Sequence, residues 1–372
     1  MFELVPSDFH KAQSLFDPLM ATQMFCAGVL EGLYAGRVFV DDPEQPRSGF
    51  VAKDGGWWFL AGDPGDEAFN RALNTALFDR TILGEKGWGG MLVCHPADWD
   101  AQIPAIYAPR IPNVTERLHY TCRRLEFDWR GQIPDGIEVR FVDETLAADG
   151  IEIHGAAADV LALRRDALEP DRKAVGFVAV HDGRIVASSV IDCIVGGGGD
   201  IGLFTDGEYR RRGLAALTSA AVIEYALSHG VDVVHWDCQA FNMGSIRTAE
   251  KLGLELSGAH LMYTFILNPV IHDVNRAWAQ LDAGHYDRTA GICRQAIEAA
   301  GDSAHVHFYY VLARCLMASG RPDEALKNLE VAARLGWDSA EEAETDFTTL
   351  AGDPSWAGIL DQMRVNAGAG AG

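Results

Sequence analysis

Three observations predict an α/β fold followed by an all-helical segment. Residues 137–268 alternate apolar, β-branched runs with helical patterns. Asp182-Gly183 stands between two such runs, a strong hairpin signal. Gly284 and Gly320, 36 residues apart, each sit inside a helix–turn–helix pattern.

The first 130 residues mix short strand-like runs with one good helix. Gly49 to Leu60 reads as a hairpin, two apolar runs around Lys53-Asp54-Gly55-Gly56. Asp66 is placed to cap a helix through Leu77, with Phe69, Leu73 and Leu77 four apart on one face. The polar, turn-rich stretch Asp128–Gly136 predicts a domain boundary. Beyond it, strands are expected over 137–142, 176–181, 185–194, 201–205 and 231–236. Gly196–Gly199 reads as a turn, and helices are expected over 151–168, 213–229 and 242–252.

In the last hundred residues, Tyr309, Leu312, Ala313 and Leu316 line one helix, and Ala325, Leu329 and Ala332 line the next. Small residues there let two helices approach closely. Ala277, Tyr286 and Ala296 repeat the pattern one unit earlier, with Thr289 in place of Ala325. This resembles the tetratricopeptide repeat in one and a half to two copies, assigned to partner contact or to bracing the neighbouring domain. Domains are therefore expected at 1–130, 131–268 and 269–364, with a disordered Gly/Ala tail at 365–372.

Composition narrows the function classes. With 31 basic against 53 acidic residues, the net charge is -22, which repels nucleic acid and either favours a cationic partner such as an ammonium-bearing substrate or serves solubility alone. No apolar run is long enough to span a membrane, and the N-terminus lacks a secretory pattern. Seven scattered cysteines without a CxxC pair fit a reducing cytoplasm and indicate no metal site, and Cys94-His95 lacks further ligands.

The chemistry concentrates in Glu208-Tyr209-Arg210-Arg211-Arg212-Gly213-Leu214-Ala215, between an apolar strand and a long helix. The first N–H groups of a helix have no partner within it, and with the helix dipole behind them they bind phosphate. Arg210-x-x-Gly213-x-Ala215 after that strand resembles the pyrophosphate loop of the GNAT N-acetyltransferase superfamily. Trp236-Asp237-Cys238, Asn242, Ser245 and Lys251-Leu252-Gly253-Leu254 resemble that superfamily's next strand and helix, and the branch with W-D-C and N-x-x-S motifs that contains the zwittermicin A resistance acetyltransferase.

This resemblance implies a mixed, mostly antiparallel, splayed sheet over 131–268, preceded by a degenerate GNAT-like half. It implies an acetyl-CoA-dependent N-acetyltransferase acting on a primary amine of a small molecule or peptide. Leu203, Phe204 and Thr205 would pair with the pantetheine arm through their backbone. Arg210, Arg211, Arg212, Gly213, Leu214 and Ala215 would hold the pyrophosphate, and Asn242 and Ser245 would lie along the pantetheine. Asp200, ten residues before Arg210, is the expected general base, with Asp237 second. Many relatives place a tyrosine seven residues after the asparagine, where this chain has Ala249. The acid is then Ser245, Cys238, Tyr263 or water.

His235 reads as a core histidine and Cys238 as packing. Trp57, Trp58 and Trp88 read as hairpin packing, with a pocket wall as the alternative. A non-catalytic acyl-CoA sensor that recruits a partner through the repeats is the alternative function. A transferase using charged tRNA is disfavoured by the charge and by the intact loop.

Overall fold

The computed structural model describes residues 1–84, 87–165 and 173–369. They divide into two compact units, Met1–Thr264 and the residues from Phe265 onward.

The first unit carries strands β1 (Phe2–Leu4), β2 (Gly36–Val40), β3 (Ser48–Lys53), β4 (Trp57–Gly62), β5 (Gly89–His95), β6 (Asn113–Cys122), β7 (Ile137–Phe141), β8 (Val175–His181), β9 (Arg184–Val195), β10 (Gly198–Thr205), β11 (Val233–Gln239) and β12 (Glu255–Ile266). Its helices are α1 (Gln13–Met20), α2 (Met24–Leu30), α3 (Glu67–Phe78), α4 (Ile103–Tyr107), α5 (Glu144–Ala148), α6 (Gly155–Arg165), α7 (Leu214–Ser228) and α8 (Met243–Lys251). The strands form one sheet in the order β1-β2-β3-β4-β5-β12-β6-β11-β10-β9-β8-β7.

One pattern occurs twice along this chain. A strand, two helices, three strands, a helix, a strand, a short helix and a last strand make up β1 to β6, and again β7 to β12. In each half the first four strands pair antiparallel and the fifth joins the fourth in parallel. The last strands meet at the centre, where β6 pairs antiparallel with both β11 and β12. Asp128–Gly136 therefore links two halves of one sheet rather than two compact bodies. The pairing of β6 with β11 joins residues more than a hundred positions apart, which local composition does not report.

Local chemistry explains most elements. Asp182 (φ 49°) and Gly183 (φ 75°) both take positive φ, as a two-residue turn between β8 and β9 requires. Asp66 caps α3 by accepting the Phe69 N–H at 2.9 Å, and Phe69, Leu73 and Leu77 are buried. β10 begins at Gly198, so only Gly196 and Gly197 of the expected glycine turn lie outside the strands. The helix expected over 151–168 begins at Gly155, and its predicted end lies outside the described residues.

α7 packs its alanines and leucines on one sheet face, and its buried Thr218 and Ser219 hydroxyls meet Ser189 Oγ at 2.8 and 2.9 Å. On the C-terminal strands, the opposite face is covered by α6 through Val160, and by α2 through Met24 and Ala27 against Cys193 and Val195.

The second unit holds α9 (Pro269–Asp282), α10 (Tyr286–Ala300), α11 (Val306–Ala318), α12 (Pro322–Arg334), α13 (Ala340–Asp346) and α14 (Trp356–Ala369). Gly284 (φ 78°) and Gly320 (φ 69°) take positive φ just past α9 and α11, where a helix end favours glycine. Ala277, Ala313, Ala325, Leu329 and Ala332 are fully buried between helices. Thr289, fully buried where the next unit has Ala325, satisfies its Oγ1 by donating to the His285 carbonyl at 2.9 Å. Helix α14 continues through Ala369, so residues 365–369 are helical where the composition predicts disorder.

Candidate active site

The site begins where two strands part. β10 pairs with β11 only over Gly198–Asp200 and Val233–His235, and its register with β9 shifts between Asp200 and Ile201. Beyond Asp200, β11 stays with β6 while β10 stays with β9, so the β11-facing edge of Ile201–Thr205 is open. A cavity of about 1060 Å³ lies along this opening.

Most sequence-predicted site residues line that cavity. Leu203, Phe204, Thr205, Arg210, Arg211, Gly213, Leu214, Ala215, Asn242 and Ser245 do so, together with Asp200 and Asp237. Arg212 does not. Its guanidinium lies over the Tyr209 ring at 4.8 Å, because the loop turns between Arg211 (φ 61°) and Gly213 (φ 82°).

Gly213 is required for its conformation. A Cβ there would meet nothing nearer than Lys251 Nζ at 4.0 Å, but the positive φ strains any L side chain. Gly213 caps α7 without a side-chain bond, and the first helical bond runs from the Leu217 N–H to the Gly213 carbonyl. The N–H groups of Leu214, Ala215 and Ala216 are thus left for a ligand. Arg247 and Lys251, one turn apart on α8, add cations to Arg210 and Arg211 at this end. Among the described residues, Thr205 Oγ1 is buried here without a hydrogen-bond partner, which leaves it for a polar ligand beside the open strand.

On α8, Asn242 Oδ1 caps the helix by accepting the Ser245 N–H at 3.1 Å, leaving its amide nitrogen for other partners. Ser245 Oγ accepts the Trp236 indole N–H at 3.0 Å, so its own proton remains to be donated. Ala249 is fully buried in the core beneath α8, so a side chain at that position points away from the cleft. Tyr263 is buried away from the cavity and is corrected as an acid candidate; burial and a hydrogen bond with Asp100 raise its hydroxyl above the ordinary range. Cys238 lines the cavity, with its thiol raised by burial.

The carboxylates at the other end differ in environment. Burial, then the charges of Asp237 and Asp192, push Asp200 up to about 8. For Asp237, burial works in the same direction, but the His119 hydrogen bond and the nearby His260 and Arg117 outweigh it and hold the group below its ordinary value. Arg117 Nε donates to Asp237 Oδ1 at 3.1 Å, His119 Nδ1 lies 3.0 Å from Oδ2, and Gln23 Nε2 donates to Oδ2 at 3.4 Å. His235 is a buried histidine with a partner, its Nδ1 3.2 Å from His119 Nε2; burial and then the His119 charge push it down to about 4. Two carboxyl groups driven apart in this way fit separate roles as proton acceptor and fixed charge.

Sequence reasoning missed Gln23, Phe25, Lys53, Arg117, Asp192, Arg247 and His260, all of which line the cavity. Arg247 and Lys251 were accessible as an i, i+4 pair on a helix. Trp57 also lines the cavity, whereas Trp58 is buried packing and Trp88 is half exposed.

The sequence model of the GNAT acetyltransferase family matches residues 13–263, and that of a tetratricopeptide repeat matches residues 280–336. The chain is 23% identical over 261 residues to the uncharacterized N-acetyltransferase YdfB of Bacillus subtilis (strain 168), covering 70% of this chain and 97% of that protein. In fold it is similar to a GCN5-related N-acetyltransferase-like protein from Streptococcus suis 89/1591, with a TM-score of 0.50 and 24% identity over 69% of this chain and 98% of that one. With a match that spans well over half of its length, the chain belongs to the GNAT acetyltransferase family and is an N-acetyltransferase.

Proposed function

We propose that the chain transfers an acetyl group from acetyl-CoA to a primary amine of a small molecule or peptide. The observation that carries this reading is a single cavity that unites an uncapped helix N-terminus ringed by cations, an open strand edge and the carboxyl of Asp200. When bound, acetyl-CoA supplies an activated acetyl thioester.

The remaining work falls to this chain's residues. The backbone from Arg211 to Ala216 would hold the pyrophosphate, with Arg210, Arg211, Arg247 and Lys251 neutralising its charge. The open edge of Leu203–Thr205 and the Asn242 amide would hold the pantetheine arm. An amine arrives as an ammonium with an ordinary pKa of about 10.4, so a proton must leave before it attacks. Asp200 accepts that proton at a carboxylate oxygen, while Asp237, kept ionised by Arg117 and His119, stays the fixed charge beside it. Ser245 and Cys238 line the cleft and can donate a proton to the departing thiolate.

The N-terminal half reads as a degenerate copy of the same fold. Its α3 begins where α7 does in the pattern, but Asp66 caps it, and Asp63 Oδ1 accepts the Gly65 N–H at 2.8 Å. Those carboxylates repel a phosphate. β4 and β5 pair over Trp57–Ala61 and Met91–His95, without the opening that parts β10 from β11. The likeness to the zwittermicin A resistance branch rests on the W-D-C and N-x-x-S motifs alone. Seven unpaired thiols suit a reducing cytoplasm, and the repeat helices suit contact with a protein partner.

A screen of primary amines for CoA release from acetyl-CoA tests the reading. Release that depends on an amine, with one acetyl group added to it, is expected. Tight acetyl-CoA binding with no transfer to any amine would favour the acyl-CoA sensor.

A further inference from the structure

The acceptor end of the cleft is built from both halves of the sheet. Side chains alternate along a strand, and Ile201, Trp236 and Cys238 pack in the core beneath α7. Their neighbours Asp200 and Asp237 therefore face the other side of the sheet. There the first 62 residues close the cavity: Gln23 and Phe25 at the start of α2, and Lys53, Gly55 and Trp57 in the β3–β4 hairpin. Gln23 is tied to Asp237, and the Tyr34 hydroxyl donates to the Asp192 carbonyl at 3.1 Å, which fixes this wall over the strands.

The charges in this compartment are unequally committed. Asp237 is held by Arg117, His119 and Gln23, with His260 Nε2 at 3.8 Å. Among the described residues, Asp192 and Asp200 have no ion-pair partner within 4 Å. In the same cavity the Phe25 and Trp57 rings pack with centroids 6.0 Å apart at 31°. The Lys53 ammonium sits 4.4 Å from the Phe25 centroid and donates to the Asp54 carbonyl. Burial raises both carboxyls, so an incoming ammonium favours their ionised form; the rings offer an apolar surface, and Lys53, whose charge also acts on Asp192, repels a second cation.

Resting on the acetyltransferase reading, we propose that Phe25 and Trp57 are specificity-determining residues that select a monocationic amine with an apolar, ring-bearing body, its ammonium lodged at Asp192 and Asp200. The amine is thereby delivered beside the proton acceptor, while the body of the molecule lies on a wall that only the N-terminal half supplies. This gives that half a use even though its own cofactor site is closed.

Calorimetry of amine binding to the full chain tests this without requiring turnover. The probes are 2-phenylethylamine, 1-propylamine and 1,4-diaminobutane. The first should bind at least roughly tenfold more tightly than the other two, the scale of discrimination an apolar pocket provides. Trp57→Leu should remove most of that preference and Trp57→Phe should keep it, with folding of both variants checked by melting. Equal affinities in the wild type, or 1,4-diaminobutane binding best, would overturn the proposal, as would a folded Leu variant with the preference intact. The expected ranking without acetyl transfer would leave the wall standing and overturn the catalytic reading instead.

Discussion

Replacing Asp200 by Asn should raise the stability of the folded chain while it abolishes most of the activity. The carboxyl is pushed from the ordinary range to about 8, by burial first and then by Asp237 and Asp192. A group whose folded pKa lies above its unfolded one favours folding most at low pH. That contribution is lost as pH rises from about 4 through about 8. At about 1.36 kcal/mol per unit, the ionised form costs on the order of 5 kcal/mol above pH 8. Asp200 is partly open to the cleft, where solvent screens the charge, and a buried amide needs partners of its own, so a net gain of about 2 kcal/mol is expected. For a unit of this size that raises Tm by roughly 5 °C. Thermal melts of wild type and Asp200→Asn from pH 5 to 9 should show a gap that widens with pH and levels off beyond 8. In the same variant kcat should fall by about 100- to 10,000-fold, with partial recovery at high pH where the amine is already neutral. Near-normal kcat at pH 7 with no pH-dependent gap in Tm would refute the assignment.

Asp237→Asn should act in the opposite direction on stability, because it strips Arg117 of its partner. A mostly buried pair broken on one side costs about 3–5 kcal/mol, and a Tm at or above wild type would count against that role. Arg247→Ala and Lys251→Ala should each weaken acetyl-CoA binding and reduce its salt dependence; affinities unchanged at low salt would remove α8 from the phosphate site. Truncation after Pro269, past the end of the first compact unit, should leave acetyl-CoA binding measurable by calorimetry. A soluble truncation that has lost all binding would show the repeat helices to be part of the site.

The parts legible in the sequence are those written locally. The turn at Asp182-Gly183, the cap at Asp66, the glycine at the start of α7 and the 36-residue helical period each depend on a few adjacent side chains and their backbone geometry. The arginine- and glycine-bearing loop that lines the cavity at the start of α7 was legible for the same reason. Arg212 escaped because one positive φ at Arg211 turns it onto Tyr209. Of the acceptor end, only Asp200, Asp237 and the pocket-wall alternative for Trp57 were legible. Arg117 and His119 lie on β6, His260 on β12, and Gln23 and Phe25 at the start of α2. They meet Asp237 and Asp200 only because each half's last strand crosses to the centre of the sheet. Ala249 looked like a missing acid in the sequence, yet its side chain belongs to the core.

Calorimetry of acetyl-CoA with wild type and Gly213→Glu bears most directly on the acetyltransferase reading. The substitution forces an L side chain into φ 82° and sets a carboxylate beside Lys251, where the phosphates would lie. Wild type should bind one acetyl-CoA per chain, since α3 is capped by its own aspartate, and the folded Glu variant should lose most of that affinity. Unchanged affinity in Gly213→Glu, or two sites in the wild type, would contradict the placement of the cofactor at the start of α7.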